Sequence, residues 1–175
     1  MIALDAKIKA YFFDKEKVLR AASAGRIRAL SKAGAFIRRR GRSLLRRRKR
    51  SAAAGQPPSV HSTDDNATLK KIVFAYDPQN ESVVVGPVKL NGDPGYAEDV
   101  TVPELMEFGG VVTLRRARVI NSTSGRGKGK KTTKVKLAAG ERLNYADHPF
   151  MGPALEQETA AGTIADAWSG CVRSA

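Results

Sequence analysis

From Met1 to Phe13 the chain alternates, with Ile2, Leu4, Ala6, Ile8, Ala10 and Phe12 on one face and Asp5, Lys7 and Lys9 on the other. A period of two predicts a half-buried strand. Asp14 then has the chemistry of a helix N-cap, and Glu16 falls where the helix dipole favours an acid. Beyond it the period lengthens. Leu19, Ala22, Ile27, Leu30, Gly34, Ile37, Gly41 and Leu44 make a narrow apolar stripe down a long helix. Gly34 and Gly41 each weaken that helix by about 1 kcal/mol relative to Ala. Their place on the stripe predicts close approach of another backbone.

Residues 51–68 are small, polar and Pro-containing, and read as an extended connector. Lys70–Tyr76 and Ser82–Val85 predict paired strands around the turn Asp77-Pro78-Gln79-Asn80. Thr101 and Glu104 have capping-box spacing, which predicts a short helix over Val102–Phe108 stopped by Gly109-Gly110. Val111–Ile120 and Thr132–Leu137 are further strand candidates. Residues 121–131 between them, rich in Gly, Ser and Lys, predict a flexible basic loop. Pro153 opens a C-terminal helix with Leu155, Ala161, Ile164, Ala165, Trp168 and Val172 on its apolar side. The expectation is a single α+β domain over 1–175. A small antiparallel sheet carries the long basic N-terminal helix on one face, and a helix closes the chain.

Charge sharpens this picture. The formal net charge is +14, and the fourteen Lys and Arg residues between Lys17 and Thr63, with no acid among them, account for all of it. The dense end is Arg38, Arg39, Arg40, Arg42, Arg46, Arg47, Arg48, Lys49 and Arg50. A second acid-free patch holds Arg115, Arg116, Arg118, Arg126, Lys128, Lys130 and Lys131, continuing to Lys134 and Lys136. Outside these two segments eight basic residues face seventeen acidic ones, so the chain is bipolar. Crowded cations call for an anionic partner, whether nucleic acid, an anionic membrane or an acidic protein surface. Copies of a bipolar chain can also dock head to tail, and a closing rotation makes a ring. Aromatics are not interleaved with the charges, which argues against base stacking. Any DNA contact is expected to be with phosphates and non-specific.

Other chemistry is sparse. His61 and His148 have no ligand-type neighbours at metal spacing, and no metal or cofactor is expected. Asp64-Asp65 reads as a solvated pair. Gly125-Arg126-Gly127-Lys128-Gly129-Lys130 lacks the spacing of a phosphate-binding loop. The single cysteine, Cys171, permits no internal disulfide and fits synthesis in a reducing compartment. No apolar run is long enough for a membrane span, and the N-terminus does not resemble a secretory signal.

Five segments taken in order resemble the tail-completion or neck proteins of long-tailed bacteriophages. They are the basic helix through Gly34-Ala35-Phe36-Ile37-Arg38, the connector Gly55-Gln56-Pro57-Pro58-Ser59 with His61, and the strands Ile72–Pro78 and Val83–Pro87. The fourth is Leu105-Met106-Glu107-Phe108-Gly109-Gly110, and the fifth and most specific is His148-Pro149-Phe150-Met151-Gly152-Pro153-Ala154-Leu155-Glu156. The family's Thr-Gly-x-Leu-(Arg/Lys) element is replaced by Ser62–Lys70, which is longer and lacks the glycine. The resemblance implies a virion structural protein of the head–tail connector, without enzymatic activity. Such a protein is assembled in the bacterial host cytoplasm as a ring, expected to be six-fold, around the DNA channel. Neighbouring neck and tail proteins would be its partners. Leu105, Met106, Phe108, Phe150 and Met151 are the expected subunit-interface residues, with Phe150 inside and Met151 at the interface. The alternative is a free basic protein that binds nucleic acid without sequence preference.

Overall fold

The computed structural model describes residues 14–48, 51–60, 69–88, 94–124 and 131–171, with the side chains of 121–124 and 131–132 set aside. The strand expected over Met1–Phe13 lies outside the described residues. The architecture is α+β, with a long N-terminal helix, small antiparallel ladders and C-terminal helices.

Helix α1 spans Lys15–Leu44. Asp14 caps it, its Oδ1 accepting the Lys17 amide at 2.9 Å. The buried line runs Gly25, Ala29, Ala33, Ile37, Gly41, with Gly34 beside it. Steps of four residues drift about 40° each around a helix of 3.6 residues per turn, so this line crosses the helix obliquely. The expected stripe therefore coincides with it only at Gly34, Ile37 and Gly41. Leu19 and Ala22 are exposed in or next to the first turns of α1, where residues 14–20 are all exposed, and Ile27 is exposed because it faces away from the buried line of Gly25 and Ala29.

The elements that pack on α1 are the hairpin β1 (Ile72–Asp77) and β2 (Ser82–Pro87), together with helices α3 (Met151–Ala160) and α4 (Thr163–Trp168). The hairpin register pairs Ile72 with Pro87 and Asp77 with Ser82. Asp77 Oδ1 accepts the Gln79 amide at 2.9 Å in the turn, and Arg26 of α1 pairs with Glu81 beyond it. Both helix glycines meet side chains where the pattern predicts backbone. A Cβ at position 34 would lie 2.8 Å from Val83 Cγ2 and 3.1 Å from the Phe74 ring. At position 41 it would lie 3.1 Å from both Ile72 Cδ1 and Met151 Sδ.

Helix α2 (Val102–Phe108) has the expected capping box between Thr101 and Glu104. Gly109 ends it at φ +67, where a Cβ would sit 2.9 Å from Asp147 N and Tyr145 O. The remaining strands form two separate two-stranded ladders. β3 (Gly110–Thr113) pairs with β6 (Arg142–Tyr145), and β4 (Arg118–Ser124) pairs with β5 (Lys131–Leu137). The single strand expected over Val111–Ile120 is thus split. At the split Leu114 turns into the core, and the Arg115 amide donates to Gly95 O at 2.8 Å. β4 and β5 also run further than expected, to Ser124 and from Lys131, into the segment 121–131, of which residues 125–130 lie outside the described residues. Strand β6 is an element that the pattern does not predict. The expected C-terminal helix begins at Met151, two residues before Pro153, and breaks at Gly162, whose φ is +73.

Two apolar clusters result. Tyr96, Leu105, Val112, Leu114 and Leu137 form one, and Leu45, Val60, Ile72 and Phe150 the other. Short helix α2 joins them, because Leu105 sits in the first while its neighbour Met106 packs on the second. In the first cluster the Tyr96 and Tyr145 hydroxyls are 2.9 Å apart. Burial, reinforced by that hydrogen bond, pushes the Tyr145 phenol up to about 12. The connector is not a loose tether where it is described. Val60 is buried, its amide donates to Arg46 O, and Gly55 N donates to Asp147 O at 2.9 Å. No helix among the described residues is long and apolar enough to cross a membrane.

Candidate anion-facing surfaces and subunit contacts

Helical geometry sorts the arginines at the end of α1. Positions 35, 38, 39 and 42 share one face by their three- and four-residue spacing. Ala35, Arg38, Arg39 and Arg42 line an open groove of about 310 Å³. Arg39 holds its guanidinium 5.2 Å from the Phe36 ring centroid, a cation–π arrangement that stiffens it. Among the described residues, neither Arg38 nor Arg42 has an ion-pair partner. This face can take phosphates or carboxylates.

Arg40 leaves that face. Its Nε donates to Glu158 Oε1 at 2.7 Å. Glu158 is only 1% exposed, and its other oxygen accepts from the Thr163 hydroxyl at 2.5 Å. The Thr163 hydrogen bond first, and then Arg40, hold the Glu158 carboxyl below its ordinary value against the opposing effect of burial. Arg40 is therefore a clasp between α1 and the C-terminal helices, where the charge pattern assigns it to DNA or an acidic partner. Arg48 is similarly engaged. Its Nη1 donates to Gln56 Oε1 at 3.1 Å, and its backbone amide donates to Ser59 Oγ at 2.9 Å. Arg46 and Arg47 are exposed on the extended segment after the helix, with Arg46 Nε on Ser43 O. Lys49 and Arg50 lie outside the described residues. Of the residues expected to face DNA or an acidic partner, Arg38, Arg39, Arg42, Arg46 and Arg47 are the described ones whose side chains make no hydrogen bond to another side chain.

The second patch divides as well. Arg115 Nη2 donates to Tyr96 O at 2.7 Å, tying this arginine to the fold. Arg116, Arg118, Lys134 and Lys136 are exposed on the β4–β5 ladder and just before it. Lys131 opens β5, while Arg126, Lys128 and Lys130 fall outside the described residues.

Of the expected interface residues, Phe150 is 1% exposed and Leu105 is also buried, so both serve the chain's own cores. Met106 and Met151 are half-buried against the second cluster, and the Met151 sulfur fills the space beside Gly41. Met151 thus packs partly within the chain while keeping part of its side chain exposed. Phe108 alone of the five stands out, 78% exposed at the end of α2.

Sequence reasoning misses the role of Glu107. Its Oε2 accepts the amides of Phe150 and Met151 at 2.9 and 3.0 Å, and its Oε1 accepts the amide of Gly152 at 2.7 Å. A carboxylate on three unpaired amides at a helix start is a strong N-terminal cap. The His148 amide donates to Met106 O in the same corner, and its Nδ1 lies 3.0 Å from Gln56 O. The only signal in the sequence is an acid in one motif and an uncapped helix start in the other. Among the described residues, no three His, Cys, Asp or Glu side chains are grouped to hold a metal ion. His61 and Asp64-Asp65 lie outside those residues. Compared with known protein families, with characterised proteins and with solved structures, the chain matches none.

Proposed function

We propose that this chain is a virion structural protein of the phage head–tail connector. In this reading it is a tail-completion or tail-terminator component that forms a ring around the DNA channel. The observation that carries the reading is the corner built by Glu107. The two most telling segments of the resemblance, Leu105–Gly110 and His148–Glu156, are joined there through one carboxylate and three amides. Motifs about forty residues apart thus act as one structural unit, which supports taking them together and not as separate coincidences.

The surface chemistry supports the same reading. Arg38, Arg39 and Arg42 present an electropositive groove suited to DNA phosphates or to an acidic ring of a neighbouring neck protein. Exposed Phe108 offers an apolar anchor for a contact between subunits. The role assigned is architectural, with no catalytic step. The test is the mass and shape of the purified protein, alone and with particle lysate. A closed ring, or co-purification with virion proteins, supports the reading. A monomer that binds duplex DNA and no virion protein replaces it with the free nucleic-acid binder, which the acid-free groove also suits.

A further inference from the structure

One face of α1 is lined with cations. Arg28, Lys32, Ala35, Arg39 and Arg42 follow one another at four- and three-residue steps, and all five are exposed. They form a straight stripe about 21 Å long at the helical rise of about 1.5 Å per residue. Arg38 is half-buried at its edge and shares the groove with Arg39 and Arg42. Arg28, at the start of the stripe, donates to Cys171 O at 2.8 Å and keeps its charge. The acids that reach α1 from other elements, Glu81 and Glu158, pair with Arg26 and Arg40, which lie off the stripe. Among the described residues, the cations of the stripe enter no ion pair. Lys32 stands apart from the dense arginine run in sequence, and the helix brings it into line with Arg39 and Arg42.

What the stripe lacks selects its partner. Every exposed position from 28 to 47 holds arginine, lysine, alanine or serine. The core of a protein interface carries apolar anchors and few charges, and here the largest exposed apolar side chain is an alanine methyl. A helix at a membrane surface sinks an apolar face into the lipid, and the apolar line of this part of α1 is buried inside the chain. Single-stranded nucleic acid needs rings for its bases to stack on, and Phe36, the one ring in residues 28–47, lies under the Arg39 guanidinium. A duplex asks for none of these. It presents one negative charge per about 1.7 Å of its axis, and the surfaces that bind it are polar and strongly positive.

We propose that the stripe of Lys32, Arg39 and Arg42, with Arg38 at its edge, binds the phosphate backbone of double-stranded DNA without reading its sequence. The inference deepens the proposed function. It rests on the electropositive groove of that reading, narrows the two anionic partners of the groove to one, and extends the groove by a turn to Lys32.

The test is the binding of the whole chain to two short duplexes of unrelated sequence and to their separated strands, read by fluorescence anisotropy over a range of salt. The wild type should bind the two duplexes alike and more tightly than the strands. Lys32→Gln with Arg42→Gln should weaken binding to both duplexes at least tenfold at low salt. It should also flatten the slope of log K against log salt by about 0.9 for each lost phosphate contact. Lys15→Gln with Lys17→Gln takes the same charge from the first turn of α1 and should change the slope little. Equal flattening by the two pairs assigns the binding to overall charge and overturns the inference. Wild-type affinity in the stripe variant overturns it too, as does a preference for single strands or for one duplex sequence. A stripe variant that keeps its duplex affinity but no longer co-purifies with virion proteins gives the stripe to an acidic protein surface, which also overturns it. Light scattering on the same samples keeps the two readings apart. Rings that form while the stripe variant binds duplex like the wild type leave the ring reading standing without the inference. A monomer that binds duplex through the stripe removes the ring and keeps the inference.

Discussion

Glu107 Oε1 accepts the Gly152 amide at 2.7 Å, so a side chain from the end of one helix caps the start of another forty-five residues later. The same carboxylate takes the amides of Phe150 and Met151. Removing it leaves three donors without their acceptor. Glu107→Ala should cost about 2 kcal/mol, which lowers Tm by about 4 to 8 °C in a chain of this size. Glu107→Gln, which keeps one acceptor oxygen, should be milder. Thermal melts of the two variants check the order, and equal stability of Glu107→Ala and wild type would remove the cap from the account.

The two glycines on α1 should respond differently to the same change. A methyl at position 34 would meet the stiff, β-branched Val83 at 2.8 Å, so overpacking of about 1 to 3 kcal/mol outweighs the gain of about 1 kcal/mol in helix propensity. A methyl at position 41 would meet the far ends of Ile72 and Met151, which can rotate away. Gly34→Ala should therefore lower Tm, and Gly41→Ala should leave it unchanged or raise it slightly. Gly41→Leu should be destabilising, because no rotation makes room for it. Melts that rank the two alanine variants the other way would contradict this packing.

Local patterns make much of this legible. Asp14 before a 3.6-residue period, Thr101 with Glu104, and Asp77-Pro78 between alternating residues each act within one turn, so each is visible in a short window. The Arg40–Glu158 pair joins residues 118 apart and leaves no local trace, which is why Arg40 reads from sequence as part of the anion-facing surface. The corner at Leu114 is hidden for a similar reason. The strand bends there because Gly95 and Tyr96 backbone and a buried leucine side chain meet, and neither can be read from the valine-rich run. Of the expected α1 stripe only Gly34, Ile37 and Gly41 are buried, because periodicity shows neither how far the covering elements reach nor the oblique line along which they cross the helix.

Acid should weaken the clasp between α1 and the C-terminal helices. The Glu158 carboxyl is held below 4.5 in the folded chain by Thr163 and Arg40. The stability it contributes is full above that ordinary value and disappears as pH falls through the folded one. Glu158→Gln should be less stable than wild type at neutral pH by about 2 kcal/mol, below the roughly 3 to 5 kcal/mol of a fully buried pair because Arg40 is 40% exposed to water. Its stability should also decline less steeply below about pH 4.5. Denaturant midpoints across the acid range read both effects, and parallel pH curves for the two proteins would contradict the clasp.

The arginines can be sorted by the salt dependence of DNA binding. Replacing Arg38, Arg42, Arg46 and Arg47 with Gln should flatten the slope of log K against log salt by about 0.9 for each phosphate no longer neutralised. Arg40→Gln should destabilise the fold while leaving that slope nearly unchanged, and Arg48→Gln should also leave it nearly unchanged. An unaltered slope in the four-fold variant would mean that the groove meets an acidic protein surface instead of DNA.

The most direct measurement is the position of the chain in an intact particle. A small tag on the protein, located by electron microscopy of purified virions, should appear at the junction of head and tail with the rotational symmetry of a closed ring. Virions without the tagged chain, with the protein found only as a monomer bound to DNA in the host cell, would contradict the account.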